Sequence, residues 1–160
     1  MRVGKDNRRV QAYGDVDELN AHLGLARACA DDPELDADLI QLQRDLFALG
    51  AQLADPSATV ASRVAKALIQ DGDVTRLEQM IDKFEAELIP LRNFVLAGGT
   101  SCGATLHVAR AVCRRAERSM VGLEPAVDPV LLRYINRMSD LLFVLARAVN
   151  QRAGVAEAIW

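Results

Sequence analysis

The amino-acid sequence predicts an all-α protein, a single bundle of about five helices. Three observations predict it. Of the 160 residues, 51% are hydrophobic but only 4% are aromatic. Alanine and leucine must therefore supply the core, and they favour packed helices over sheets. Apolar residues recur at two- to four-residue steps in several separate stretches, and no stretch alternates with period two for long enough to demand a sheet. The length fits one domain with a substantial core, without internal repeats or low-complexity segments.

The first helix is read from "AYGDVDELNAHLGLARACA", with Val16, Leu19, Ala21, Leu23, Ala26 and Cys29 as its apolar positions. Asp15 is its expected N-cap, with Glu18 three residues on as in a capping box. The second starts near Pro33, where a missing N–H costs nothing, and carries a stripe of Leu35, Leu39, Leu42, Leu46, Leu49 and Leu53. "DPSATVASRVAKALIQDGD" is more polar and reads as a loop with one short helix. The third helix, in "DVTRLEQMIDKFEAELIPL", places Leu77, Ile81, Phe84 and Leu88 on one side. "NFVLAGG" reads as an extended linker. The fourth helix runs from about Thr105 to Val121, and the fifth follows the cap-plus-proline start at Asp128-Pro129.

The formal net charge of -3, with acids and bases interspersed, excludes a general nucleic-acid binder. Any anion site must come from local clustering. Three cysteines without C-x-x-C spacing argue against a disulfide framework and against zinc, and free thiols fit a reducing compartment. No apolar run approaches a membrane span, and no secretory signal opens the sequence, so a cytoplasmic location is expected.

Charge does cluster on the fourth helix, in "LHVARAVCRRAERSM". At about 100° per residue, Arg110, Arg114 and Arg118 form one row, with Glu117 among them and His107 on the same side. Leu106, Ala109, Val112, Cys113 and Ala116 make the adjoining apolar face, while Arg115 points elsewhere. Such a row is either a solvated face of weak ion pairs or a polyphosphate site, since the planar guanidinium fork suits phosphate. On the fifth helix Asn136 and Asp140 share a face, either as a structural hydrogen-bond pair or as ligand contacts. The acids of "YGDVDELN", Asp15, Asp17 and Glu18, suit the positive end of a helix dipole.

"GGTSCGAT" has the glycine spacing of a phosphate loop at Gly98 and Gly103, but Ala104-Thr105 replaces the required Lys-Ser/Thr, so it reads as a turn before a helix. His22 and His107 have no partner at metal-ligand spacing, and neither follows a glutamate by three residues as a di-iron bundle requires. No Ser–His or Cys–His nucleophile is visible. An enzyme built this way would work by binding and charge stabilisation.

Three segments together, "RVGKDNRRVQAYGDVDELNAHLG", "NFVLAGGT…LHVARAVCRRAERS" and "INRMSDLLFVLAR", resemble the PduO-type ATP:cob(I)alamin adenosyltransferases. The resemblance spans nearly the whole chain. It implies a five-helix, ferritin-like bundle assembled as a homotrimer with active sites between subunits. It implies that cob(I)alamin, itself a strong nucleophile, attacks the 5′ carbon of ATP, that triphosphate leaves, and that Mg²⁺ assists at the phosphates. It further implies a reductase and an adenosylcobalamin-dependent enzyme as partners.

Carried over by motif, Arg110 is expected to form an intersubunit salt bridge with Asp17. Arg114, Glu117 and Arg118 are expected at the ATP site, joined by Asn136 and, through its shared face, Asp140. Lys5 in "RVGKD" matches a lysine that reaches the nucleotide. Phe94 matches the aromatic beneath the corrin, which excludes the lower axial ligand and eases reduction of a four-coordinate Co(II). Two departures accompany the likeness. Ala97 stands where the family has proline. The family's Thr- and Gly-rich ATP segment ahead of "RV-x-K" is absent from a sequence beginning Met1-Arg2-Val3. The alternative expectation is a catalytically impaired corrinoid-binding, carrier or regulatory bundle.

Overall fold

A computed structural model describes residue 4 and residues 7–56 and 66–160. Among these residues the chain forms five helices: α1 (Arg8–Ala28), α2 (Pro33–Ala54), α3 (Asp71–Glu85), α4 (Ser101–Val121) and α5 (Pro129–Arg152). The only β pairing among them is an isolated antiparallel bridge between Val95 and Ile159. The all-α expectation is met.

α1 lies between α2 and α4, α4 also packs on α5, and α3 packs on α5. The expected stripes are buried in most part: Val16, Leu19, Leu23 and Ala26 of α1 and Leu77 and Phe84 of α3 are in the core, whereas Ala21 is exposed, Ile81 is half-buried and Leu88 lies beyond the end of α3. All six leucines of the α2 stripe are buried, as are Leu106, Ala109, Val112, Cys113 and Ala116 of α4. α5, flanked by α3 and α4, is buried on most of its circumference, including Ile135, Met138, Leu142, Leu145 and Ala146. No helix among the described residues is long and apolar enough to cross a membrane.

Two helix starts differ from the sequence expectation. α1 begins at Arg8, capped by Asn7, whose side chain accepts from Arg9 N–H at 2.9 Å. Asp15 is therefore inside the helix. An interior glycine at position 14 disfavours helix by about 1 kcal/mol, but burial of Ala12 and Val16 outweighs it. Arg9 adds to this by donating to the Leu53 carbonyl at 2.7 Å. α4 begins at Ser101 rather than Thr105, because the Thr100 hydroxyl accepts from Gly103 N–H at 2.9 Å. α5 is capped by Asp128 with Pro129 in its first turn, as expected.

Two polar groups tie this fold across its core. Asp45, with no exposed surface, accepts from Tyr134 O–H at 2.8 Å and Gln41 Nε2 at 3.1 Å, and pairs with Arg76. It joins α2 to α3 and α5. Burial, and then the Asp45 charge, push the Tyr134 hydroxyl well above its ordinary pKa, so it remains a donor.

Asn150, 3% exposed on α5, holds the turn before α4. Its Nδ2 donates to the Gly98 carbonyl at 2.8 Å, and its Oδ1 accepts from Thr100 N–H at 2.9 Å and the Thr100 hydroxyl at 3.0 Å. A Cβ on Gly103 would lie 2.1 Å from Asn150 Oδ1. Gly103→Ala is therefore expected to cost about 2 kcal/mol, the scale of core overpacking, read as a lowered midpoint in urea.

Candidate active site

α4 presents its arginines in two groups. Arg115 turns toward α1, where it pairs with Glu18 and with Asp15 at 3.4 Å; the Ser119 hydroxyl also donates to Asp15 at 2.6 Å. Asp15 and Glu18 of "YGDVDELN" thus serve as cross-helix partners rather than as caps. Arg114 and Arg118, by contrast, are exposed and form no ion pair or hydrogen bond with any described residue. Arg118 borders a surface cleft of 360 Å³ shared with Arg8, Gln11, Arg115, Ser119 and Gly122.

Arg110 is half-buried at the other end of the row. Its guanidinium carbon sits 5.9 Å from the centre of the Phe143 ring, and Arg147 approaches the same ring at 5.9 Å. Its Nε is buried without a hydrogen-bond partner. Asp17 of α1 is exposed and forms no ion pair or hydrogen bond with any described residue. His107 is buried edge-on to Phe143, with ring centres 6.1 Å apart. Burial, and then the Arg110 charge, lower its pKa from an ordinary value of 6.5, so at neutral pH it adds no positive charge to the row.

Beside the arginines, Asn136 of α5 donates from Nδ2 to Glu117 Oε1 of α4 at 2.8 Å, leaving its own side-chain oxygen uncommitted. The Asn136 backbone carbonyl accepts from the Ser139 hydroxyl at 2.9 Å. Asp140 does not pair with Asn136; it takes Arg137 at 2.8 Å, and Arg137 also reaches Glu78 at 3.4 Å. The structure thus brings Glu117 of α4 and Asn136 of α5 into contact, and α4 carries two guanidinium groups unpaired with any described residue. Lys5 lies outside the described residues.

Phe94 belongs to a second surface. It is 78% exposed, and its ring meets Trp160, 86% exposed, edge-on at 6.3 Å. The linker is held there by the C-terminal tail: Leu96 N–H donates to the Ala158 carbonyl at 2.8 Å, and Trp160 N–H to the Phe94 carbonyl at 3.0 Å. Arg147, buried on α5, fixes that tail through Glu157 at 2.6 Å and donates to the Ile89 carbonyl at 2.8 Å. Leu91, Leu96 and Ile159 are exposed on the paired segments as well. Exposed apolar side chains brought together in this way are the composition expected of a binding surface.

Sequence reasoning missed Trp160, Arg147 and Asn150. Asn150 had a signal: it follows Leu142 and Ala146 at four-residue steps, so a polar side chain occupies a core position of α5. Trp160 had none, because its pairing with Phe94 is long-range.

The Cobalamin adenosyltransferase family model matches residues 1–149. A cobalamin adenosyltransferase from Cupriavidus metallidurans is 42% identical, over 99% of this chain and 84% of its own length. A corrinoid adenosyltransferase from Bacillus subtilis is 41% identical, over 98% of this chain and 81% of its own. Among solved structures, a variant PduO-type ATP:corrinoid adenosyltransferase from Lactobacillus reuteri, complexed with cobalamin and ATP, superposes with a TM-score of 0.87. It shares 33% identity, over 99% of this chain and 88% of the other.

Proposed function

The chain belongs to the cobalamin adenosyltransferase family, and on that premise we propose that it transfers the 5′-deoxyadenosyl group of ATP to cob(I)alamin, giving adenosylcobalamin and triphosphate. The cobalt lone pair forms the new Co–C bond at the 5′ carbon as the C–O bond to triphosphate breaks. The electron pair and the negative charge leave with the phosphate chain. Neither side chain nor backbone need accept a proton. The protein's part is to bring the two substrates together and to meet the departing charge with fixed donors.

The observation that carries this reading is the division of the α4 arginines. Arg115 is neutralised by Asp15 and Glu18, whereas Arg114 and Arg118 pair with no described residue, on the helix whose Glu117 holds Asn136. A free guanidinium fork binds phosphate oxygens in pairs. In this reading Arg114 and Arg118 hold the triphosphate, Glu117 orients Asn136, and Asn136 contacts ATP, with Lys5 reaching the same nucleotide. Asp140 stands at the edge of the site, already engaged with Arg137. Phe94 faces the corrin and keeps the lower axial position of cobalt clear.

Mg²⁺ supplies charge neutralisation at the phosphates when it is bound. Among the described residues no three carboxylate, histidine or cysteine side chains are grouped to hold a cation. That fits an ion carried chiefly by substrate phosphates and water. The trimer enters through Arg110: it is only half-buried, Asp17 is exposed, and neither forms an ion pair with any described residue, which suits a salt bridge from Arg110 of one copy to Asp17 of the next. The active site then lies between copies. A reductase supplying Co(I) and an adenosylcobalamin-dependent acceptor enzyme complete the reading, in the cytoplasm, where the free thiols Cys29, Cys102 and Cys113 persist.

The test is direct. Incubation with ATP, Mg²⁺ and chemically reduced cobalamin should convert the Co(I) spectrum to that of adenosylcobalamin, with one triphosphate released per corrinoid. Absence of product, both from this chain and from one extended by the family's Thr/Gly-rich segment, refutes the reading.

A further inference from the structure

We propose that Asn150 is a positioning residue for the corrinoid half of the reaction, acting through the Gly98–Thr100 turn on Phe94. The proposal rests on the adenosyltransferase reading. The Asn150 carboxamide fills the inside of this turn, with both of its ends committed: Nδ2 to the Gly98 carbonyl, Oδ1 to the N–H and hydroxyl of Thr100. The backbone has been cleared to admit it. A Cβ on Gly99 would lie 2.3 Å from Asn150 Nδ2, and a φ of +104° there disfavours any other residue. The same carboxamide occupies the space a Cβ on Gly103 would need. A glycine in the turn, a glycine at the start of α4 and an asparagine on α5 form a single lock.

The lock governs one substrate surface and spares the other. Phe94 is six residues before Thr100, on a segment whose other holds are the two tail hydrogen bonds from Leu96 and Trp160. Those holds trace back to Arg147, which shares a face of α5 with Asn150 at i, i+3 spacing. α5 thus grips the Phe94 segment directly through Asn150 and indirectly through the tail. Arg114 and Arg118 lie on the far side of the turn, roughly 20 Å and more along α4 by its helical rise, on a helix packed against α1 and α5. Loosening the turn lets Phe94 drift while the arginine row stays where its own helix puts it.

Asn150→Asp tests this. The carboxylate keeps the size of the side chain and both contacts to Thr100, but it loses the Nδ2 donor and sets an oxygen against the Gly98 carbonyl. With one buried hydrogen bond lost, KM for cob(I)alamin should rise about tenfold, while KM for ATP stays within about twofold of wild type. The electron paramagnetic resonance signal of four-coordinate cob(II)alamin, recorded with ATP bound, should shrink in parallel. A merely structural defect would lower the active fraction without splitting the two KM values. Should Asn150→Asp not fold, Thr100 decides: Thr100→Val should show the same split, and Thr100→Ser, which keeps the hydroxyl, should not. A wild-type corrinoid KM in folded Asn150→Asp, or an equal rise in both KM values, overturns the proposal alone. A wild-type protein that makes no adenosylcobalamin overturns the adenosyltransferase reading and this proposal with it.

Discussion

Arg114→Ala is expected to lower kcat by about two orders of magnitude, the scale on which a preorganised donor to developing negative charge contributes. Its folding midpoint should stay near that of wild type, because an exposed side chain without intramolecular partners has little to lose on truncation. The loss should fall on kcat more than on KM for ATP, since charge on the triphosphate is largest as the C–O bond breaks. Arg114→Lys should recover part of the rate: it restores charge but not the two-pronged fork. The control is on the same helix. Arg115→Ala removes an arginine already neutralised by Asp15 and Glu18, and should leave kcat within about threefold of wild type, as expected of an exposed ion pair. Single-turnover rates under saturating ATP and cob(I)alamin check both variants. Full activity in Arg114→Ala would remove Arg114 from the site.

Asp45→Ala is expected to cost about 3 to 5 kcal/mol, the usual loss when one partner of a buried ion pair is removed. At about 2–4 °C per kcal/mol for a chain of this size, the melting temperature should fall by about 10 °C. The reason is the number of groups that converge on one carboxylate. Tyr134 loses its acceptor in a fully buried setting, Gln41 loses a bond, and Arg76 is left half-buried with only the more distant Asp73, at 3.7 Å, as counter-charge. Asp45→Asn should fall between, since the carboxamide oxygen still accepts from Tyr134 while the charge opposite Arg76 is gone. Thermal unfolding followed by circular dichroism separates the three proteins. Because α3 is joined to α2 through this carboxylate, hydrogen exchange in α3 should accelerate before that in α1 or α4. Unchanged melting of Asp45→Ala would show the network to be energetically neutral.

The helices were legible because their information is local. The leucine stripe of α2 and the Leu106–Ala116 face of α4 are period-3.6 patterns, and burial follows them without exception. The row of Arg110, Arg114 and Arg118 was legible for the same reason, as was the turning away of Arg115. Periodicity identifies a face but not what lies against it. It could not say that Arg115 meets Asp15 and Glu18 nearly a hundred residues earlier in the chain, nor that Asp45, wedged into the leucine stripe, has Tyr134 and Arg76 waiting. The start of α1 was misjudged by weighing Asp15 and Glu18 as a local capping box when buried Ala12 and Val16 decided the matter. Of the candidate site, the charged half came from spacing, its proposed roles came from motif likeness, and the tail's grip on Phe94 came from neither.

The pairing of Gly99 and Gly103 with Asn150 bears on how such proteins can be recombined. The three positions form one packing unit, although about fifty residues separate the glycines from the asparagine. A chimera that takes α5 from one relative and the turn before α4 from another keeps its full stability only if both parents use the same lock. A smaller side chain at position 150 should recover part of the stability that alanine at position 103 costs. Crossover points for a hybrid enzyme therefore belong before Gly98, so that the turn, α4 and α5 travel together.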